Sequence, residues 1–495
     1  MGRSAVVPVR SFDAQGQVFL DSNRVLRGIF PDQGDQCRRV LETVTRNDLF
    51  RLGIVRTTIA TDADLPGGPY DLVLEHERVP FVSYPHEWPA SMLKDAALFH
   101  LELFLKLAPY GLTLKDMHPL NVVFDGARPI FVDFTSIIPA GALASEGYLR
   151  SAAPPARLLS RGWDRQSVLV NDMYTRMFQP YFLLPLEMMS AGRHADARKR
   201  MLETTLNTSP QVISPLEVRG AGARSRLADR RRRFAMDRAL MEKGPAKARF
   251  FGQLARDVSK LAVMPPDSGY VSYYDEKGED FDFQPGPAWN ARQHTIDSIF
   301  ERLRPASVLD VAGNTGWFAR LAANRGARAV AFDIDESSAD RLYRTAKAGG
   351  MDVLSLVMDL TRPTPEVAAI DFPDEPRREF EDAPVLLPAT SRLNCELVMA
   401  LAIVHHLALG QNQSLTDIAG TLDKFAGRYL VMEFVDRADE LIVAEPEFFP
   451  AMHRNPSAFD WYTLANFEAE FGRRFASVEK LPSHPASRTI LLCTR

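Results

Sequence analysis

The stretch Ser307–Asp335, SVLDVAGNTGWFARLAANRGARAVAFDID, decides the reading of the fold. Val308 and Leu309 form an apolar strand that runs into Asp310, and Ala312, Gly313, Asn314, Thr315 and Gly316 make a turn with little side-chain bulk. Phe318, Leu321 and Ala322 recur at helical spacing, and Val330, Ala331 and Phe332 form a second strand closed by Asp333. A small-residue turn between strand and helix lets a ligand approach the main chain and meet the free N–H groups of the helix. A carboxylate at the end of the next strand can take both hydroxyls of a ribose. The two acidic residues stand 23 apart, in keeping with the roughly 20-residue offset of nucleotide-binding βαβ units.

No G-x-G-x-x-G is present, because Ala312 and Asn314 interrupt it. The turn resembles instead motif I of class I S-adenosylmethionine (SAM) methyltransferases, whose ligand has no pyrophosphate to cradle. A dinucleotide site and an inert βαβ unit are the other readings of the same residues. Downstream the pattern repeats as a doubly wound domain requires. Val353–Val357 is a strand leading to Asp359 and Leu360, Leu397–Leu401 a fourth and Arg428–Val435 a fifth, with Phe475–Lys480 and Thr489–Cys493 as a closing antiparallel hairpin. Open α/β sheets bind ligands at the carboxyl edge of their strands. Asp359 is therefore placed to accept the adenine amino group.

Composition narrows the class. The 495 residues favour two to four domains, and 46% hydrophobic with 25% charged residues is ordinary for a soluble globular protein. A net charge of −4 exerts no pull toward nucleic acid or membrane. Cys37, Cys395 and Cys493 are odd in number and far apart, which argues against a disulfide framework and a zinc site, so no metal is expected. The opening residues lack a signal-peptide core, Val6 breaks the myristoylation pattern, and the apolar runs are short. A cytoplasmic protein acting on a small molecule, with no membrane partner and no nucleic acid, is expected. Oligomeric state is not legible.

In the N-terminal part, residues 17–30 alternate around a DSN turn as a hairpin, a helix is expected near Gln36–Leu52, and Tyr70–Leu74 and Arg78–Tyr84 read as extended. A helix from about Pro89 to Leu107 is marked by Pro89 and Ser91. Then LTLKDMHPLNVVFDGARPIFVDFTSI, Leu112–Ile137, sets Asp116 and Asn121 five apart in a loop, followed by a hairpin that ends on Asp133. This resembles the catalytic and metal-binding loops of protein kinases, in which case Asp116 would be the base and Asn121 and Asp133 the Mg²⁺ ligands. The likeness is degenerate. No Gly-rich loop precedes it, no lysine occurs before Lys94, and Leu114 replaces the histidine of H-R-D. Arg27 is the cation nearest the missing lysine's place, with Glu42 as its possible partner. The expected division is a kinase-like α+β region over 1–140, a helical segment over 141–266 and a methyltransferase domain over 267–495 with an N-terminal lid. Arg230–Arg233 reads as a solvated helix face, with contact to RNA or an acidic substrate as the alternative.

Aromatics precede the second domain: Tyr270, Tyr273, Tyr274 and Trp289 either line a substrate pocket over the methyl donor or pack as a lid. His405 and His406 follow the fourth strand, and either hold a turn or supply a base. Glu433, at the end of the fifth strand, is a third base candidate.

HERVPFVSYPHEWP, LTLKDMHPLNVVF, VLDVAGNTGWF, ALAIVHHL, GQNQSLTDIAG and RYLVMEFV, in this order, resemble the bacterial SAM-dependent methyltransferase family related to the nodulation protein NoeA. The resemblance implies a C-terminal class I domain, Rossmann-like with an antiparallel last strand, and SAM as cofactor. On this reading Asp310, Gly313, Asn314 and Gly316 are expected at the methionine end, Asp333 at the ribose hydroxyls and Asp359 with Leu360 at the adenine, with Ala312, Ile334 and Ala400 as further cofactor-binding residues. The resemblance leaves the acceptor open, with nitrogen or oxygen methylation of a small molecule or specialised metabolite expected. A bifunctional protein whose kinase-like region binds nucleotide or phosphorylates or presents the substrate is the alternative.

Overall fold

The computed structural model describes residues 6–9, 15–21, 24–63, 65–144, 170–171, 173–206, 223–241, 246–272, 283–367 and 386–495. The N-terminal part is built on an antiparallel sheet of order β1-β2-β3-β5-β4, with β1 Val7–Val9, β2 Gly16–Leu20, β3 Val25–Ile29, β4 Thr57–Ile59 and β5 Leu72–His76. Helix α1, Gly34–Arg46, follows β3 and turns Val40, Leu41 and Val44 to the core. It stops well short of Leu52, since Asp48 adopts φ 49° and starts a separate short turn. Arg78–Tyr84 is not a strand but a connector that leads through the turn Pro85–Glu87 into helix α2, Ala90–Leu107. Strands β6 Leu112–Leu114 and β9 Ile137–Pro139 pair with each other, and the hairpin β7 Val122–Asp125 and β8 Arg128–Phe131 lies between them in sequence. A five-stranded antiparallel sheet with one helix after its third strand, then a long helix, a loop and a hairpin, is the kinase-like α+β arrangement the sequence suggested.

Helices α3 Leu184–Ser190, α4 His194–Leu206, α5 Ala223–Met241 and α6 Ala246–Ser259 make the helical segment. In the arginine run Arg230 and Arg231 are exposed, whereas Arg232 pairs with Glu187 and Arg233 with Asp229. Arg233 is exposed as well, so Arg232 alone of the four is bound into the protein and the other three form the solvated face.

Helix α7, Ala291–Leu303, begins on a reciprocal cap between Asn290 and Gln293. It delivers the chain into a sheet of order β12-β11-β10-β13-β14-β16-β15, with β10 Ser307–Val311, β11 Arg328–Asp333, β12 Val353–Val357, β13 Cys395–Ala400, β14 Ala426–Val435, β15 Ser477–Pro482 and β16 Arg488–Thr494. All its neighbours pair parallel except β16, which runs antiparallel to β14 and β15. This is the doubly wound class I methyltransferase sheet. Its register sets Asp310 beside Ala331 and Met399, and Asp333 beside Val357, so the strand ends come out at one edge. Helices α8 Trp317–Asn324, α9 Glu336–Gly349, α10 Ala389–Arg392 and α11 Leu415–Phe425 flank it. One apolar core runs from α1 and α2 through Phe124 and Tyr343 into β11, β12 and β14. No helix among the described residues is long and apolar enough to cross a membrane.

Candidate functional site

At the carboxyl edge the bend after β10 is shaped by its backbone. Ala312, Asn314 and Gly316 all take left-handed φ, at 54°, 52° and 74°. Glycine adopts this conformation freely, whereas an L-residue pays roughly 1–2 kcal/mol for it. Asn tolerates it through local bonds of its short polar side chain, so Ala312 is the position held in a conformation that its side chain disfavours. A Cβ on Gly313 would meet Asp310 Oδ2 at 2.9 Å, so the bend closes against that carboxylate.

Asp310 is buried, and its carboxyl is pushed up to about 7, chiefly by burial and further by nearby Asp333, against the Ala319 N–H and Arg292. Its Oδ2 has no hydrogen-bond partner among the described residues. Asp333 Oδ2 accepts from the Asn314 N–H at 2.8 Å and Oδ1 from the Asp335 N–H at 2.9 Å. Burial raises Asp333, and these N–H groups hold it partly back. The Ile334 N–H adds a third main-chain donor to the same carboxylate. Beside it Ile334 is 69% exposed, an apolar side chain at the ligand edge of the sheet.

Asp359 Oδ1 accepts from the Thr361 N–H and hydroxyl, both at 2.8 Å, while Leu360 and Ala400 are buried. Leu360 and Thr361 join Leu407, Gln413, Asp417, Ile418 and Thr421 around a cavity of about 160 Å³. Gln413, Asp417 and Thr421 escaped the sequence reading, because the face α11 turns to the cavity is set by packing.

The aromatics separate. Trp289 is 7% exposed and packs edge-on against Trp317 with ring centres 5.4 Å apart, inside the apolar cluster that α7 and α8 share. Tyr270 is exposed, but its carbonyl accepts from Asn314 Nδ2 at 2.8 Å, and Ser268 Oγ donates to Asp335 Oδ2 at 2.9 Å. Ser268–Tyr270 therefore lies against the bend through one main-chain carbonyl and one side-chain hydroxyl. Tyr273 and Tyr274 lie outside the described residues.

His405 and His406 sit past the end of β13 with ring centres 4.1 Å apart, and both rings lie against Phe449. Burial lowers both, and Arg488 lowers them further, so they are neutral imidazoles. His405 Nδ1 has no partner among the described residues. Glu433 is different: it is 0% exposed, accepts from the Ser483 hydroxyl and faces Arg292 at 3.7 Å and Arg488 at 4.0 Å. Arg488 also grips Asp439 through Nε at 2.9 Å and Nη2 at 3.2 Å. Burial alone would raise Asp439, but these bonds outweigh it and bring the carboxyl down to about 2.

In the N-terminal part Asp116 accepts from the His118 N–H at 2.6 Å and is pushed up to about 6, first by burial and then by Asp133. Asp133 accepts from Arg27 Nη1 at 2.6 Å, from the Thr135 hydroxyl at 2.9 Å and from the Ser136 hydroxyl. Burial works against its charge, but Arg27 and Lys115 prevail and hold it well below the usual carboxylate range. Asn121 ends the turn Pro119–Asn121 ahead of β7, with its side chain facing Asp116, and Glu42 is exposed on α1. Arg27 thus does stand where its place on β3 suggested, bonded straight to the carboxylate that a metal would need. No three His, Cys, Asp or Glu side chains converge as a metal site among the described residues.

No family model matches the chain. Over 446 residues it is 25% identical to the nodulation protein NoeA of Rhizobium meliloti (strain 1021), a match spanning 87% of this chain and 85% of NoeA. Among solved structures it is similar to magnesium protoporphyrin IX methyltransferase (ChlM) from Synechocystis PCC 6803 with bound SAH, at 14% identity and a TM-score of 0.30, over 46% of this chain and 94% of that one. It is also similar to the bifunctional kinase-methyltransferase WbdD, at 13% identity and a TM-score of 0.29, over 49% of this chain and 46% of that one. Neither structural likeness is close enough to bear on function. Along most of both lengths the chain is similar to NoeA, as its motifs implied, and its C-terminal part carries the class I methyltransferase fold.

Proposed function

We propose that the chain transfers a methyl group from SAM to a nitrogen or oxygen of a small-molecule acceptor. One observation carries this reading. The left-handed bend Ala312–Gly316 is bonded to Asp333, leaves Asp310 Oδ2 buried without a partner, and has exposed Ile334 at its rim. An unmatched buried acceptor calls for a partner, and Ile334 beside it offers an apolar side chain that the flat part of such a ligand would cover. SAM has an ammonium, a vicinal diol and a flat base, so the residues present fit it. Asp310 and the bend would hold the amino-acid end, Asp333 the ribose hydroxyls, and Ile334, Asp359 and Leu360 the adenine.

When bound, the sulfonium supplies a methyl group already activated toward nucleophiles. The protein's share is then to orient the partners and exclude water. On this reading His405, a buried neutral imidazole whose Nδ1 has no partner among the described residues, would take the acceptor's proton, with His406 packed on it. Glu433 is the weaker base candidate: Oε1 takes the Ser483 hydroxyl, and Oε2, though without a hydrogen-bond partner among the described residues, faces the counter-charges of Arg292 and Arg488.

Calorimetric titration of the full chain with SAM and S-adenosylhomocysteine tests the proposal. Hydrogen bonds to a charged group contribute about 1.5–3 kcal/mol, so Asp333→Ala is expected to weaken binding roughly 10- to 150-fold. Uptake of neither ligand by the wild-type chain, or equal affinity in Asp333→Ala, refutes it.

A further inference from the structure

Both elements that run on from the cofactor-edge carboxylates are gripped by the N-terminal part of the chain. Helix α9 follows Asp333, and its buried Asp340 accepts the Ser91 N–H at 2.7 Å and hydroxyl at 3.0 Å from the start of α2. Tyr343, one turn on, donates to Asp95 at 2.6 Å. On the adenine side the grip is an ion pair. Glu87 accepts from Arg392 Nη2 at 2.5 Å and Nη1 at 3.1 Å, from the Thr364 hydroxyl at 2.6 Å and from the Tyr84 N–H at 2.8 Å. Both charged side chains are 1% exposed. Arg392 also lies 4.1 Å from the centre of the Tyr84 ring and donates to the carbonyls of Leu387 and Val82. The Tyr84 hydroxyl accepts the Leu387 N–H at 2.8 Å, and His86 Nε2 lies 3.1 Å from the Thr364 hydroxyl.

Withdrawing two charges from water costs what their attraction returns unless the remaining hydrogen-bonding positions are filled. Here they are filled by groups from both parts of the chain. What such a cluster supplies is one definite arrangement more than net stability, and the residue it fixes is Thr364. Its hydroxyl is bonded to Glu87, and its carbonyl accepts the Ala389 N–H at 2.8 Å. Thr364 is five residues beyond Asp359, at the end of the loop that also carries Leu360 and Thr361. A segment this short, pinned at its far end, has few conformations left to lose when a ligand orders it.

We infer that Glu87, through Thr364 and Arg392, is a positioning residue for the adenine end of the cofactor site, so that the kinase-like region completes the methyltransferase. The inference rests on the SAM reading above. Full-length variants titrated with S-adenosylhomocysteine test it. Glu87→Gln and Thr364→Val are each expected to weaken binding roughly 10-fold, within the range of couplings between linked sites. Thr364→Ser keeps the hydroxyl and is expected to restore affinity. Tyr343→Phe breaks another bond between the same two parts of the chain, and is expected to stay within about 2-fold, as for independent sites. General loosening would move all four variants alike. Unchanged affinity in a folded Glu87→Gln overturns the inference, and unchanged affinity in Thr364→Val overturns it equally should Glu87→Gln not fold. A wild-type chain that takes up no S-adenosylhomocysteine removes the SAM reading as well. One that binds it while Thr364→Val matches it removes the positioning role alone.

Discussion

Asp310 carries more of the chemistry than its place in a strand suggests. Its carboxyl rises from 3.8 to about 7 because burial opposes the charge, while Asp333 adds to the effect. A folded pKa above the unfolded one means that the native state binds the extra proton between those values. Its contribution to stability is therefore fully present below about pH 4 and is lost as pH rises through 7. At 1.36 kcal/mol per unit the difference is on the order of 4 kcal/mol. Chemical denaturation from pH 4 to 8 should show the wild type losing stability relative to Asp310→Asn, and parallel curves would contradict the assignment. A cation bound beside this group favours its ionised form, so SAM affinity should rise from pH 6 to 8 in the wild type and stay flat in Asp310→Asn. The Arg27–Asp133 pair makes a second case, with the guanidinium bonded to the carboxylate in a largely buried site. Removing one partner of such a pair leaves a charge with poor solvation, and Arg27→Met is expected to cost about 3–5 kcal/mol in urea titrations.

At the scale of elements, the bend after β10 and the start of α2 show how local pattern and distant partner divide the work. Ala312 sits at φ 54°, where a β-branched side chain is strongly disfavoured. Ala312→Val should therefore destabilise by about 1–3 kcal/mol. Ala312→Gly trades relief of that strain against a looser unfolded chain, with a net effect within about 1 kcal/mol of zero. Equal losses in both variants would show that side-chain space, not φ, governs the position. Pro89 and Ser91 correctly marked the beginning of α2, but Ser91 does not cap it in the usual way. The free N–H there is met by Asp340, 249 residues away in sequence. Asp340→Ala should cost about 1–2 kcal/mol, the usual loss for a helix cap.

On the scale of the whole molecule the two parts share an interior. Trp88 packs on Phe124 at 5.2 Å between ring centres, Phe124 on Tyr343 at 6.1 Å, and Tyr343 is fully buried on α9. Tyr343→Ala empties that junction, at a cost expected to be about 3–5 kcal/mol. Since the core is continuous, near-ultraviolet dichroism and backbone signal should report the loss as one transition with a common midpoint. Two separated transitions would show that the parts unfold independently.

The sequence by itself determined the second domain's strand and helix order, the small-residue bend, the acidic pair at its strand ends, and the N-terminal loop with Asp116, Asn121 and Asp133. All of these follow from periodicity and spacing over a few tens of residues, where the chain's own geometry dictates the outcome. Which end of that pattern faces inward was decided elsewhere. Trp289 turned to Trp317, Glu433 to two arginines and a serine, and Arg78–Tyr84 became a connector, because each was claimed by a neighbour that no local pattern names. Glu87 and Arg392, 305 residues apart, are the extreme case. A buried charge is tolerated only where another part of the chain brings its counter-charge, and only the tertiary structure brings the two together.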